Sequence, residues 1–269
     1  MYLEYYGLKE APFNLTPDPK FLFFTPNHRE AFNHLIYGIR NRKGFVELTG
    51  EVGSGKTTIC RAVLASLAPG IKTSLILNPF LTENQLLRSI LNDFGLKVKG
   101  RDRLTNIETL NSFLLENLQS GNNVALIIDE AQNLSPAVLE QVRLLSNLET
   151  DQNKLLQIVL CGQPELRQRL ASPDLRQLRQ RITVRYHLLP LNESETIRYI
   201  EYRLKMAGWS EGRLFLEKAV RRIHNYARGI PRLINSVCDI ALLAGYVASS
   251  AAIDVDCVKK AIKQLEGQP

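Results

Sequence analysis

Two periods of apolar residues alternate along the middle of the chain. The segments FVELTG (45–50), TSLILN (73–78), NVALIID (123–129), LLQIVLCG (155–162) and TVRYHLL (183–189) are short, rich in Val, Ile and Leu, and bounded by turn residues. That pattern predicts strands. Between them apolar residues recur every three or four positions, as in NQLLRSILNDFG (84–95) and PAVLEQVRLLSNLE (136–149), the spacing of helices with one buried face. Strands that alternate with helices predict a parallel sheet covered on both faces.

The strand pattern stops after Pro190. Helical spacing then runs over 193–207, 214–228, 231–249 and 254–266, with Gly229 ending the second helix, Pro231 in the first turn of the third and Asp254 capping the fourth. At the other end, prolines 12, 17, 19 and 26 exclude a long helix, so residues 1–28 are expected to lie extended against the body. A helix is expected from about Arg29, where Ala31, Phe32, Leu35, Ile36 and Ile39 share one face. The predicted organisation is an N-terminal segment (1–28), an α/β core (29–190) and a small all-helical domain (191–269).

The turn after the first predicted strand carries the clearest chemistry. Gly50, Glu51, Val52, Gly53, Ser54, Gly55, Lys56 and Thr57, followed by Thr58, match the phosphate-binding P-loop pattern in full. The glycines let backbone N–H groups turn in around phosphate oxygens at a helix N-terminus, Lys56 reaches the β- and γ-phosphates, and the Thr57 hydroxyl suits Mg²⁺. The third predicted strand delivers Asp129 to the C-terminal edge of the sheet, where ligands bind in such folds, and Asp129 is the second expected Mg²⁺ ligand. Glu130 is placed to orient and deprotonate an attacking water, which favours hydrolysis over transfer to a substrate hydroxyl. Gln163 ends the fourth strand and offers an amide to the γ-phosphate or the water, or is a loop glutamine before Pro164. Asn78 ends the second strand, either as a turn residue or as a partner that holds Glu130 inactive.

Six arginines lie between 165 and 185: Arg167, Arg169, Arg176, Arg179, Arg181 and Arg185. An oligomer can project one of them onto a neighbour's γ-phosphate as an arginine finger, and a solvated or DNA-facing surface accounts for the others. Arg232 sits in the first turn of a predicted helix, where a cation is locally disfavoured, so it either serves a phosphate or is a surface arginine.

Composition adds limits rather than direction. Lys and Arg outnumber Asp and Glu by 34 to 27, and the resulting +7 permits nucleic acid, nucleotide or an anionic membrane as partner. Cys60, Cys161, Cys238 and Cys257 are far apart with no C-x-x-C spacing, so reduced buried thiols are expected. The opening MYLEYYGLKE has no basic n-region or long apolar core, so it is not expected to be a secretory signal, and the longest apolar run, near Ile240 to Ile253, is too short and broken to span a bilayer.

Read together, PFNLTPDPKFLFFTPNHREAF, GEVGSGKTT, DEAQNL, LCGQPEL, LRQRI and GIPRLIN resemble, in order and over nearly the whole chain, the AAA+ ATPases, and within them the general secretion pathway protein A (ExeA) family. The resemblance implies a P-loop NTPase core with a five-stranded parallel sheet flanked by helices, followed by a helical lid, with ATP or ADP and Mg²⁺ held between them. It implies sensor roles for Gln163 and Arg232, and a trans arginine finger among Arg176, Arg179 and Arg181, with Arg181 favoured. It also implies adenine contacts from Phe13 and Pro231, and a homo-oligomeric ring. The implied role is an oligomer-dependent ATPase that assembles or remodels a cell-envelope secretion or pilus machine. A DNA-binding switch of the kind seen in transposition and initiator ATPases is the alternative, and a small-molecule kinase is disfavoured by the Asp-Glu pair. Longer members continue into a membrane-spanning helix and a periplasmic region that binds peptidoglycan. The expected location is therefore cytoplasmic, peripheral to the inner membrane through a partner or a further C-terminal segment.

Overall fold

The computed structural model describes residues 1–16, 19–21, 23–77, 80–98 and 102–267. Among them the five predicted strands form one sheet: β1 (Phe45–Gly50), β2 (Ile71–Ile76), β3 (Asn123–Ile128), β4 (Leu156–Gly162) and β5 (Ile182–Leu188). The order is β2-β3-β4-β1-β5 and every neighbouring pair is parallel. β4 thus lies between the strand that feeds the P-loop and the strand that ends in Asp129. Every residue of β1, β3 and β4 is buried, which is why these segments are mostly apolar, with Glu47, Thr49, Asn123 and Gln157 as buried polar exceptions. β5, at one edge of the sheet, alternates in burial over its first four positions.

The helices are α1 (Tyr2–Tyr5), α2 (Pro26–Arg40), α3 (Lys56–Ser66), α4 (Glu83–Asp93), α5 (Arg103–Gln119), α6 (Pro136–Leu145), α7 (Pro164–Leu170), α8 (Arg176–Arg181), α9 (Glu193–Met206), α10 (Glu217–Ala227), α11 (Pro231–Val247) and α12 (Val255–Leu265). The chain resolves into two compact units, one made of Arg29–Gly50 and Ile59–Leu188, the other of Met1–His28, Glu51–Thr58 and Leu189–Pro269.

In the sheet unit, the two-residue period of the strands sorts side chains into two cores. Val46, Leu48, Ala125, Ile127, Val159 and Cys161 face Leu35, Ile39, Ile59 and Val63 of α2 and α3. Phe45, Leu126, Ile128, Ile158 and Leu160 face the opposite way, onto Leu86 and Ile90 of α4, Leu110 and Leu114 of α5, and Val138 and Val142 of α6. α4 begins with a reciprocal cap between Thr82 and Gln85.

The helical unit packs α9–α12 around Ile200, Leu204, Ile223, Ile234, Val237, Leu242 and Val258, and takes Tyr6, Leu8, Phe13 and Phe21 of the N-terminal segment into the same core. Arg203 of α9 fastens that segment. It is 6% exposed, donates from Nε to Pro12 O (2.5 Å) and from Nη2 to Asn14 O (3.2 Å), and lies over the Phe21 ring at 4.8 Å.

Two expectations change, and a third is not described. Residues 1–28 are not extended throughout: Tyr2–Tyr5, which lie ahead of the first proline, form α1, tied to α11 by the bond from Tyr2 Oη to Asp239 Oδ1 (2.5 Å). β2 begins at Ile71, two residues before its predicted start. Asn78 lies outside the described residues. All four cysteines are buried, and none forms a disulfide among the described residues. No helix of the described residues is long and apolar enough to cross a membrane.

Candidate nucleotide site

The P-loop is built from local backbone geometry. Gly53 and Gly55 take φ of +77° and +101°, a region that side chains resist, and Ser54 N donates back to Glu51 O at 3.1 Å. Lys56, at the start of α3, is 5% exposed and donates from Nζ to Glu51 O at 2.9 Å, so its ammonium is folded over the loop. The hydroxyl of Ser54 is buried without a hydrogen-bond partner among the described residues, an orphan donor in a loop whose shape suits an anion. The residues present therefore fit a bound phosphate chain.

Two elements of the same unit brace this loop. Arg232, the second residue of α11, donates its backbone N–H to Gly53 O (3.2 Å), and its own side chain is exposed. His28 is 4% exposed, with Nε2 at 3.3 Å from Ser54 O and Nδ1 at 2.6 Å from Thr25 Oγ1. The Ser54 carbonyl can only accept, so Nε2 carries the proton and Nδ1 accepts from the threonine hydroxyl. Burial lowers the pKa of His28 below 6.5, against smaller opposing effects of the Ser54 carbonyl and Glu195, which keeps the ring neutral.

In the sheet unit the chemistry gathers at the ends of β3 and β4. Asp129 is 2% exposed, and its N–H continues the β3–β2 ladder by donating to Ile76 O (2.9 Å). Its Oδ1 accepts from Glu130 N (2.9 Å). Glu130 follows in left-handed geometry, φ 52° and ψ 35°, which costs a non-glycine residue about 1–2 kcal/mol and is typical of functional turns. Its Oε2 accepts from two side-chain amides, Gln163 Nε2 at 3.0 Å and Gln132 Nε2 at 2.6 Å. The hydroxyl of Thr57 in the helical unit and the carboxylate of Asp129 in the sheet unit are each hard oxygen donors, the kind Mg²⁺ selects.

Comparison with known proteins now decides the family. Residues 39–170 match the family described as an AAA domain. Over 256 residues the chain is 48% identical to general secretion pathway protein A of Aeromonas hydrophila, a match that covers 94% of this chain and 46% of that protein. The chain belongs to the AAA+ family, among the relatives of general secretion pathway protein A.

Solved structures agree in fold. Cdc6p from Pyrobaculum aerophilum superposes with a TM-score of 0.71 at 19% identity, covering 94% of this chain and 70% of that one. The ORC1 protein of Aeropyrum pernix in complex with DNA gives 0.69 at 17%, covering 96% and 70%. The Thermotoga maritima RuvB Holliday junction branch migration motor gives 0.56 at 20%, covering 90% and 70%. At these identities the likeness is one of fold alone. The AAA+ chain spans slightly less than half the length of its Aeromonas relative.

The remaining site residues fall as follows. Phe13 is 1% exposed and packs edge-to-face on Phe215 with centroids 5.9 Å apart, so it is a core residue that anchors the N-terminal segment rather than an open wall for adenine. Pro231 is the first residue of α11 and half-buried. Arg176 and Arg179 are exposed on α8, whereas Arg181 donates from Nη1 to Ser146 Oγ (2.7 Å). Arg169 donates to Gln132 O (2.8 Å), and Arg185 pairs with the buried Glu47 (3.2 Å). Burial raises the Glu47 pKa despite Arg185 and Arg167. His28, Gln132 and Arg203 were not singled out from the sequence. Gln132 sits inside the DEAQNL block, two residues after Glu130, and was the one with a readable signal.

Proposed function

We propose that this AAA+ chain binds ATP with Mg²⁺, hydrolyses it to ADP and phosphate within a homo-oligomer, and so drives assembly of a cell-envelope secretion or pilus machine. The observation that carries the hydrolysis reading is Glu130, a carboxylate directly after Asp129 whose orientation is set by side-chain amides. The 48% identity to general secretion pathway protein A supports the envelope role.

In this reading the α/β core (29–190) does the chemistry and the helical lid (191–269) responds to it. Backbone N–H groups of residues 51–58 and the Lys56 ammonium hold the phosphates. Thr57 and Asp129 would hold Mg²⁺, which when bound neutralises charge on the phosphate oxygens. Glu130 takes the proton of the attacking water, and Gln163 keeps the base in place. Arg232 senses the γ-phosphate within the subunit, and an arginine of α8 does so from a neighbour.

Phosphate release is the test. Lys56→Ala is expected to abolish binding of a fluorescent ATP analogue, and Glu130→Gln to retain binding while turnover stops. Normal turnover by Glu130→Gln would sink the catalytic assignment. Duplex DNA binding with ATP that weakens steeply with salt would replace the envelope role by a DNA-directed one.

A further inference from the structure

Gln132 closes a ring of hydrogen bonds around the carboxylate of Glu130. Its Nε2 donates to Glu130 Oε2 (2.6 Å), its Oε1 accepts from the backbone N–H of Gln163 (3.0 Å), and Gln163 Nε2 returns to the same Glu130 oxygen (3.0 Å). The orientation of the Gln132 amide follows from its partners. A backbone N–H can only donate, so the amide oxygen faces Gln163, and the amide nitrogen must then face the carboxylate.

Two further contacts hold the ring. Arg169 Nη1 donates to Gln132 O (2.8 Å), pinning the short turn Ala131–Asn133 to α7. At the end of β4, a methyl group on Gly162 would lie 2.8 Å from Gln132 Oε1, so a side chain at that position would press on the bridge. Gly162 at the end of β4, Gln163 just ahead of α7, and Glu130 and Gln132 in the turn after β3 therefore form one device.

From this ring we infer that Gln132 is a positioning residue for the general base: it fixes Glu130 through Oε2 and leaves Oε1 to take the proton of the attacking water. The inference rests on the ATPase reading. A carboxylate held by two donors on one oxygen cannot rotate freely about its terminal torsion. Loss of the Gln132 donor frees the carboxylate plane while leaving phosphate binding untouched, because Gln132 is no part of the P-loop.

The test measures ATP turnover and analogue affinity for the wild type, Glu130→Gln, Gln132→Leu, Gln132→Glu and Gln132→His. Gln132→Leu and the isosteric Gln132→Glu are expected to lower kcat by about ten- to a hundredfold, the scale of a misplaced catalytic group, with KM and analogue affinity within about twofold. Gln132→His, whose neutral ring keeps one N–H and one acceptor, is expected to retain more turnover than Gln132→Leu. Analogue affinity also reports folding, and the isosteric variant keeps the test valid if the leucine variant does not fold. Turnover within twofold of wild type in both Leu and Glu variants, with Glu130→Gln inactive, would overturn the role of Gln132 and leave the ATPase reading standing. Equal losses in kcat and affinity would make Gln132 merely structural, and equal losses for Leu and His would remove the bridge argument. A wild type without turnover would refute the ATPase reading, and this inference with it.

Discussion

Gly53 in the P-loop and Arg232 at the start of α11 are in backbone contact. Arg232 N donates to Gly53 O at 3.2 Å, and a methyl group on Gly53 would lie 2.4 Å from Arg232 Cβ. Gly53 also holds φ at +77°. Replacing it by alanine adds about 1–2 kcal/mol of backbone strain and a clash with a Cβ that cannot swing away. Gly53→Ala is expected to lower stability by about 2 kcal/mol or more and to weaken ATP-analogue binding strongly. Thermal unfolding and equilibrium titration check this, and a variant that binds as tightly as wild type would show that the contact leaves the loop's shape unaffected.

His28 makes the stability of the chain depend on pH in a stated direction. Burial lowers its folded pKa below 6.5, with the Ser54 carbonyl and Glu195 opposing and the neutral Thr25 hydroxyl on Nδ1. In the unfolded chain the ring titrates near 6.5, so below that pH the unfolded state binds more protons than the folded one. Stability contributed by the neutral ring is present above about 6.5 and is lost as pH falls toward the folded value. The unfolding temperature is expected to drop between pH 7.5 and 5.5, and to drop less in His28→Gln, which has no proton to take up. Equal slopes in the two proteins would count against this assignment.

Arg203 is the main tie between α9 and the N-terminal segment. Removing its side chain leaves Pro12 O and Asn14 O without this donor and takes the cation from above Phe21. Arg203→Ala is expected to cost about 2 kcal/mol or more. The unfolding temperature should fall by about 4 °C or more. Protease sensitivity should rise first within residues 9–16. Arg203→Lys should recover only part, since one ammonium cannot reach the Pro12 and Asn14 carbonyls and stack on Phe21 together. Limited proteolysis with mass mapping of the first cut decides between this tie and a general loss of folding.

The sheet was legible because β1, β3 and β4 are buried on both faces and so write short, largely apolar runs into the sequence. The strand-end positions of Asp129, Glu130 and Gln163 were legible for the same reason, since each follows a largely apolar run of a parallel strand. What escaped was pairing at long range. Arg203 meets Pro12 across 191 positions, and Gln132 meets Gln163 across 31. Nothing in the local period around either residue marks it, because a buried polar residue on a helix or turn takes its meaning from whichever carbonyl or amide the fold brings opposite. The burial of Phe13 escaped for the converse reason: an aromatic ring in a proline-rich segment has no period to say that it enters a core.

The arginine finger can be tested by mixing subunits. Arg181 is held within its own chain by the bond to Ser146 Oγ (2.7 Å), a charged-donor interaction worth about 1.5–3 kcal/mol, which a doubly charged γ-phosphate on a neighbour can outcompete. Arg181→Ala is expected to bind ATP analogue normally and to lose about a thousandfold in turnover. On the proposed mechanism, Glu130→Gln should be inactive at its own site but keep its finger, whereas Arg181→Ala should keep its base and lack the finger. A mixture of the two is therefore expected to regain turnover, because the glutamine subunit supplies Arg181 to a neighbour whose Glu130 is intact. The same mixture made with Arg176→Ala or Arg179→Ala distinguishes the three residues, and mass measurement with ATP analogue and with ADP reports whether an assembly forms. Absence of complementation in a nucleotide-dependent oligomer would remove the finger from Arg181. Full activity of Arg181→Ala as a monomer would remove the trans mechanism altogether.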